Sequence, residues 1–271
     1  MADHSLQQVD LTPTDSADRA GYLVRHQGFA VLGDFLSPQL AEPMPGVLMK
    51  LIEDDLSTWG ENPYYRDSWM VMNLMFRHEL FVDVLNTTRL REFAEPVIGK
   101  SAILYSFTSS SMPPSDSNFS RRIHVDSPRL IPAYPTNVGF VIPLTDFTAN
   151  NGGTEVLPFS HTREEAPSVD EFTNHSIVIE AKVGQALMFN ARLWHSGGVN
   201  QTVEPRHALT INMCRSFMRQ HFDFSRMVNR LFEKSASRQA YSLIGWDVRM
   251  PSSLDEYYVH EDDRLYRPNQ G

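Results

Sequence analysis

The sequence predicts an α+β chain, mainly β, with a two-sheet jelly-roll core and N-terminal helices packed outside it. Three observations carry this expectation. The front third reads as capped helices, the hydrophobic period switches to alternation at Ser101, and about eight short strands with turn residues between them follow. At 271 residues the chain can bury a full core, and sandwiches and barrels reach this length undivided. No repeat or linker divides it, so residues 16–271 are read as one domain behind a loose arm of residues 1–15, with core strands at about 101–217.

The elements follow in order. Ser16 caps a helix over Ala17–His26, which Gly28 stops. Phe29–Leu32 is a short strand, and Ser37-Pro38 opens a helix interrupted near Pro43 and Pro45. Two further helical stretches run from about Arg77 to Leu85 and from Thr88 to Ile98. Ser101–Ser109 alternates, with Ile103, Tyr105 and Phe107 on one face. A strand carrying His124 follows. Val138–Phe147 is strongly apolar, and Pro143 within it predicts an edge position or a bulge. Thr154–Leu157 is a short strand after a turn, and Arg163–Glu171 reads as a surface excursion. Ser176–Ala181, Gln185–Asn190 and Arg206–Phe217 are the remaining strands, and a helix covers about Phe224–Glu233. The acidic tail from Ser252 has no assigned element.

Composition narrows the function. Hydrophobic residues make up 41% and charged residues 21%, ordinary for a globular protein. The net charge of −9 argues against a nucleic-acid binder, which needs clustered lysine and arginine, but leaves room for an anionic small molecule held by a few local arginines. Cys214 is the one cysteine, so no intrachain disulfide forms. No apolar leader or stretch of membrane-spanning length is present, and a cytoplasmic protein without membrane partners is expected. A homodimer is compatible with the sequence.

Chemistry concentrates at His124-Val125-Asp126 and Trp194-His195. Residues two apart in a strand leave the same face, so the His124 imidazole and the Asp126 carboxylate point into one space. A second imidazole from His195 completes three ligands on one side of a metal, the facial set of non-haem Fe(II) oxygenases. The tripeptide alone is a weak signal, because His-x-Asp arises by chance in many chains.

The last strand adds to it. Leu209, Ile211, Met213 and Phe217 form a large apolar set, while Arg206, Ala208, Thr210, Asn212, Cys214 and Ser216 form a small and polar one. An arginine on that second face has room to take a carboxylate through two parallel hydrogen bonds, the plainer alternative being a surface arginine at a strand end. Arg122 shares the parity of His124, so Arg122 and Arg129 are candidates for meeting an anionic substrate, against the alternative of solvated charges. Tyr64, Asn73 and Tyr134 lie on segments placed to lid a barrel mouth and are candidate substrate contacts by position alone. Cys214 has no base beside it and is not read as a nucleophile.

His124-x-Asp126, then Asn151-Gly-Gly-Thr-Glu-Val-Leu-Pro-Phe-Ser-His161, then Trp194-His195, then Arg206 eleven residues after His195 resembles the phytanoyl-CoA dioxygenase family, a branch of the Fe(II)/2-oxoglutarate oxygenases. The likeness spans about residues 20–235. It implies a double-stranded β-helix with the metal at its mouth. It further implies His124, Asp126 and His195 as iron ligands, Arg206 as the clamp on the distal carboxylate of 2-oxoglutarate, and Thr154 as a second cosubstrate contact. Phe159 departs from the family's usual Pro-Gly-Ser-His turn, which bears on the local turn geometry. Related halogenases lack the carboxylate that Asp126 supplies, so halogenation is rejected.

The resemblance therefore implies Fe(II), 2-oxoglutarate and O2. The substrate would be a small organic molecule, hydroxylated, desaturated or similarly oxidised in natural-product or secondary metabolism, with release of succinate and CO2. Two rivals stay open: a cupin-type metal dioxygenase or isomerase that needs no 2-oxoglutarate, and a non-catalytic protein with a closed structural metal site.

Overall fold

A computed structural model describes residues 8–66 and 68–264. Helix α1 (Ala17–His26) starts where Ser16 Oγ accepts the Arg19 amide, as a capping hydroxyl does. Strand β1 (Phe29–Leu32) follows, then α2 (Pro38–Ala41), α3 (Met44–Trp59), α4 (Glu79–Asn86) and α5 (Arg89–Ile98). The break between α2 and α3 falls at the prolines, as expected.

The remaining strands are β2 (Ile103–Ser109), β3 (Asn137–Pro143), β4 (Thr154–Val156), β5 (Ile177–Ile179), β6 (Ala186–Asn190), β7 (His195–Gly197) and β8 (Ala208–Cys214). They build two antiparallel sheets, one ordered β1-β6-β3-β8-β2 and the other β5-β4-β7. Phe29, Val141, Leu187 and Phe189 of the larger sheet meet Val156 and Ile179 of the smaller one between the layers. The far face of the larger sheet, including Phe107, Phe140 and Ile211, packs against Leu23, Leu48, Phe81 and Phe93 of the helices. Burial on both faces is why β3 reads as an unbroken apolar run. The architecture is the expected double-stranded β-helix with helices outside.

Several expectations need correction. Residues 8–15 are not loose: the Thr14 amide donates to Val31 O, its carbonyl accepts the Gly33 amide, and the Gln27 side chain bonds both ways with the Asp10 backbone. Residues 1–7 and 265–271, parts of the expected arm and tail, lie outside the described residues. Pro143 sits in a central strand, tolerated because it is the last residue of β3. A bulge at Tyr105 breaks the predicted alternation of β2, so Leu104 and Phe107 share the helix-covered face.

The predicted helix over Phe224–Glu233 is split into Phe224–Met227 and Arg230–Ser235. Asn229 causes the break: its Oδ1 caps the Phe232 amide while its Nδ2 is tied to Phe76 O. The surface excursion ends in a helix, Val169–His175. Among the described residues no helix is long and apolar enough to cross a membrane.

Candidate active site

His124 lies in no regular strand, contrary to expectation; it makes one isolated antiparallel bridge to His195. Each histidine amide donates to the other's carbonyl at 3.0 Å, so the two residues are directly opposed and send their side chains to one side. The imidazole centroids are 4.2 Å apart. Asp126, two residues on, brings Oδ1 to 3.6 Å from His124 Nε2 and 3.8 Å from His195 Nε2. One ligand atom from each of the three residues lies within 4.8 Å of the others.

Local contacts orient these atoms. His124 Nδ1 is 2.8 Å from Arg122 O and His195 Nδ1 is 2.9 Å from Leu193 O. Carbonyls only accept, so both Nδ1 atoms carry the proton and both Nε2 lone pairs face the shared space, as a metal requires. Burial, reinforced by the neighbouring His195, pushes His124 down to about 4, so it is neutral at pH 7. Asn212 Nδ2 donates to Asp126 Oδ2 at 3.2 Å.

The Phe189 ring backs His195 at 4.9 Å between centroids. That ring lies over Gly139, where an added Cβ would fall 2.3 Å from Phe189 Cζ. Gly139→Ala is therefore expected to swing the ring away and cost roughly 1–3 kcal/mol of stability. Thermal melting reads that cost, and Co(II) titration reads the loosened His195.

Arg206 is 2% exposed. It donates through Nη1 to Ser110 O (3.1 Å) and through Nη2 to Gly152 O (2.7 Å), and lies 4.4 Å from the Phe147 ring centroid. Among the described residues it has no carboxylate partner, and its buried Nε has no acceptor. Burial pushes it down to about 9, so it is still cationic at neutral pH. A buried guanidinium without a counter-anion fits a site for a carboxylate ligand. Arg206 precedes β8 by two residues, where its backbone bridges Met112. Thr154 is buried in β4 opposite Gly197, two residues beyond the carbonyl that receives Arg206.

Of the outer candidates, Arg122 adds its charge to the lowering of His124, whereas Tyr64 and Asn73 line a separate cavity. The Arg122 guanidinium stacks on exposed Phe119 at 4.1 Å, although its carbonyl orients His124. Arg129 is exposed. Tyr134 is covered by the Arg215 guanidinium at 3.8 Å. Tyr64 and Asn73 line a cavity of about 350 Å3 with Trp59, Met70, Met72 and Phe222, and no triad residue lines it. Phe159 adopts φ 63°, the left-handed conformation a glycine takes freely. Its neighbour His161 is tied to Arg25 O at 3.0 Å, and the Trp194 amide donates to Ser160 Oγ. His161 thereby ties the turn to the end of α1.

Sequence reasoning missed Asn137, Gly139, Phe189 and Arg192. Arg192 is buried and donates to Ser127 O, Pro128 O and Arg163 O, fastening the loop that leaves Asp126. None of these has a one-dimensional signal, because each acts across strands or loops. Cys214 is buried with its thiol pushed up to about 12, in keeping with an inert residue.

His207, beside Arg206, bonds Ser111 Oγ at 2.8 Å and is pushed down to about 4 by burial and by the Arg206 charge. Its folded value lies below the ordinary 6.5, so between these values the unfolded chain binds the extra proton. Stability from this group is complete above about pH 6.5 and is expected to fall by about 2–3 kcal/mol by pH 4.5. Urea denaturation at the two pH values checks this, with a shallower loss in His207→Gln.

A jelly roll with two imidazoles and a carboxylate converging at one point, and a buried arginine that among the described residues has no carboxylate partner, fits the facial metal site of the non-haem iron oxygenases. The phytanoyl-CoA dioxygenase (PhyH) family model matches residues 24–208, and the chain belongs to that family. The chain is 28% identical to the uncharacterized protein Rv1501 of Mycobacterium tuberculosis, over 97% of this chain and 99% of that one. It is 28% identical to the Fe(II)/2-oxoglutarate-dependent dioxygenase nvfF of Aspergillus novofumigatus, over 60% of this chain and 56% of that one. Among solved structures, SnoN, a non-haem α-ketoglutarate-dependent epimerase from nogalamycin biosynthesis, superposes with a TM-score of 0.57 at 16% identity, covering 73% of this chain and 80% of that one. The protein is an Fe(II)/2-oxoglutarate-dependent oxygenase.

Proposed function

We propose that this oxygenase hydroxylates, desaturates or similarly oxidises a small organic molecule of natural-product or secondary metabolism. His124, Asp126 and His195 hold Fe(II), and Arg206, with Thr154, holds the distal carboxylate of 2-oxoglutarate. Residues 16–271 act as one catalytic domain in this reading. The observation that carries it is the buried guanidinium of Arg206, which among the described residues has no carboxylate partner. The natural-product setting is supported by the likeness to SnoN, an epimerase of nogalamycin biosynthesis.

Iron, when bound, supplies the O2 chemistry that couples decarboxylation of 2-oxoglutarate to substrate oxidation. The chain's contribution is positioning. The carbonyls of Arg122 and Leu193 hold both imidazoles with Nε2 inward, and Asn212 steadies the carboxylate. The Ser110 and Gly152 carbonyls and the Phe147 ring fix the guanidinium plane before any ligand arrives, so little side-chain freedom is lost on binding. The test is release of succinate from 2-oxoglutarate by purified protein with Fe(II) and O2, across a panel of small natural products. Turnover that requires both additions and rises with one compound class supports the proposal. A protein that binds iron and oxidises a panel compound without consuming 2-oxoglutarate contradicts it in favour of a cupin-type enzyme.

A further inference from the structure

We infer that Asn212, braced by Asn137, determines which oxygen of Asp126 is presented to the metal. This rests on the metal-binding reading of the triad. Asp126 Oδ1 is the atom that approaches both imidazoles, at 3.6 and 3.8 Å. Oδ2 instead receives Asn212 Nδ2 at 3.2 Å, and Asn212 Oδ1 receives Asn137 Nδ2 at 3.0 Å. Both asparagines are 4% exposed.

The direction of this line of bonds follows from chemistry. An ionised carboxylate only accepts, so Asn212 must turn its NH2 to Asp126 and its carbonyl to Asn137. Asn137 must in turn offer its NH2, and its Oδ1 is left buried without a donor among the described residues. A buried acceptor without a partner is costly, and an apolar pair at these two positions would avoid that cost. The strands accept the penalty at the place where it orients a ligand.

Register makes the pair reachable. Asn212 stands opposite Gly139 and Asn137 opposite Cys214, so the asparagines are diagonal neighbours on one face, and the β3 residue facing Asn212 has no side chain. Asp126 needs such a brace because it lies beyond the isolated His124–His195 bridge, where no ladder fixes its backbone, and its side chain is 24% exposed. A carboxylate free to turn can offer both oxygens to one ion and take a position that cosubstrate needs.

Co(II) titration of the apo-protein, followed by visible absorption, tests this for wild type, Asn212→Leu, Asn137→Leu and the double variant. Asn212→Leu is expected to weaken Co(II) about tenfold or more, as outer partners of metal ligands do, and to change the band shape as the carboxylate turns. Asn137→Leu loses less. The double variant loses no more than Asn212→Leu, because Asn137 acts through Asn212. Apo melting temperatures, read separately, report any purely structural role.

Wild-type affinity and bands in Asn212→Leu overturn the inference. A double variant whose loss is the product of the two single losses removes Asn137 from it. If Asn212→Leu does not fold, Asn137→Leu carries the test, and unchanged Co(II) binding there counts against the pair. Failure of wild type itself to bind Co(II) refutes the metal reading instead, and the inference falls with it.

Discussion

Arg206→Met is expected to abolish useful 2-oxoglutarate binding while leaving the apo-protein within about 1 kcal/mol of wild type. The two halves of this result have separate causes. Truncating one side of a buried, hydrogen-bonded charge pair costs about 2–5 kcal/mol, roughly a 30-fold to several-thousand-fold rise in Kd. In the apo-protein, however, Arg206 has no carboxylate partner among the described residues, and its side chain bonds to the Ser110 and Gly152 carbonyls. Methionine fills the space beside Phe147 and removes an unpaired buried cation, which offsets those bonds. Arg206→Lys keeps the charge but not the planar fork, so its Kd falls between the two. Calorimetric titration with 2-oxoglutarate on Mn(II)-loaded protein, alongside melting of the apo-protein, measures both. An unchanged Kd in Arg206→Met removes the cosubstrate role from Arg206.

Asp126→Ala is expected to remove metal binding and turnover together. It deletes one of three ligand atoms and leaves two imidazoles 4.2 Å apart without the anion that would share their ion. The loss exceeds the roughly 10–100-fold typical of an outer partner, such as the one predicted for Asn212. The ranking is itself diagnostic: Co(II) affinity should fall in the order wild type, Asn137→Leu, Asn212→Leu, Asp126→Ala. An alanine variant that still binds Co(II) as tightly as wild type would show that Asp126 is not a ligand.

The parts of this site that were legible in the sequence are those governed by parity along one strand or by motifs in order. His124 and Asp126 are two apart and meet at 3.6 Å, and Arg206 is buried beside Phe147 instead of lying at the surface. The reason given for the first was only half right, since a single bridge, not a strand, opposes the histidines. The apolar run of β3 was legible, but the place of Pro143 was not, because a terminal proline in a central strand and an internal one in an edge strand look alike in one dimension.

The supports were not legible at all. Asn137 meets Asn212 only through the β3–β8 register, and Gly139 makes room for Phe189, which reaches His195, only once β6 lies beside β3. Position in the chain alone does not say which space Tyr64 and Asn73 enter, and the fold gives them a cavity away from the triad residues.

The most direct test of the account is an anaerobic titration of the apo-protein with Fe(II) and then 2-oxoglutarate, following the weak visible absorption that iron and a chelated 2-oxo acid give together. The account predicts a saturable band that needs both additions in wild type and is absent from Asp126→Ala. Iron binding with no band on adding 2-oxoglutarate would contradict it.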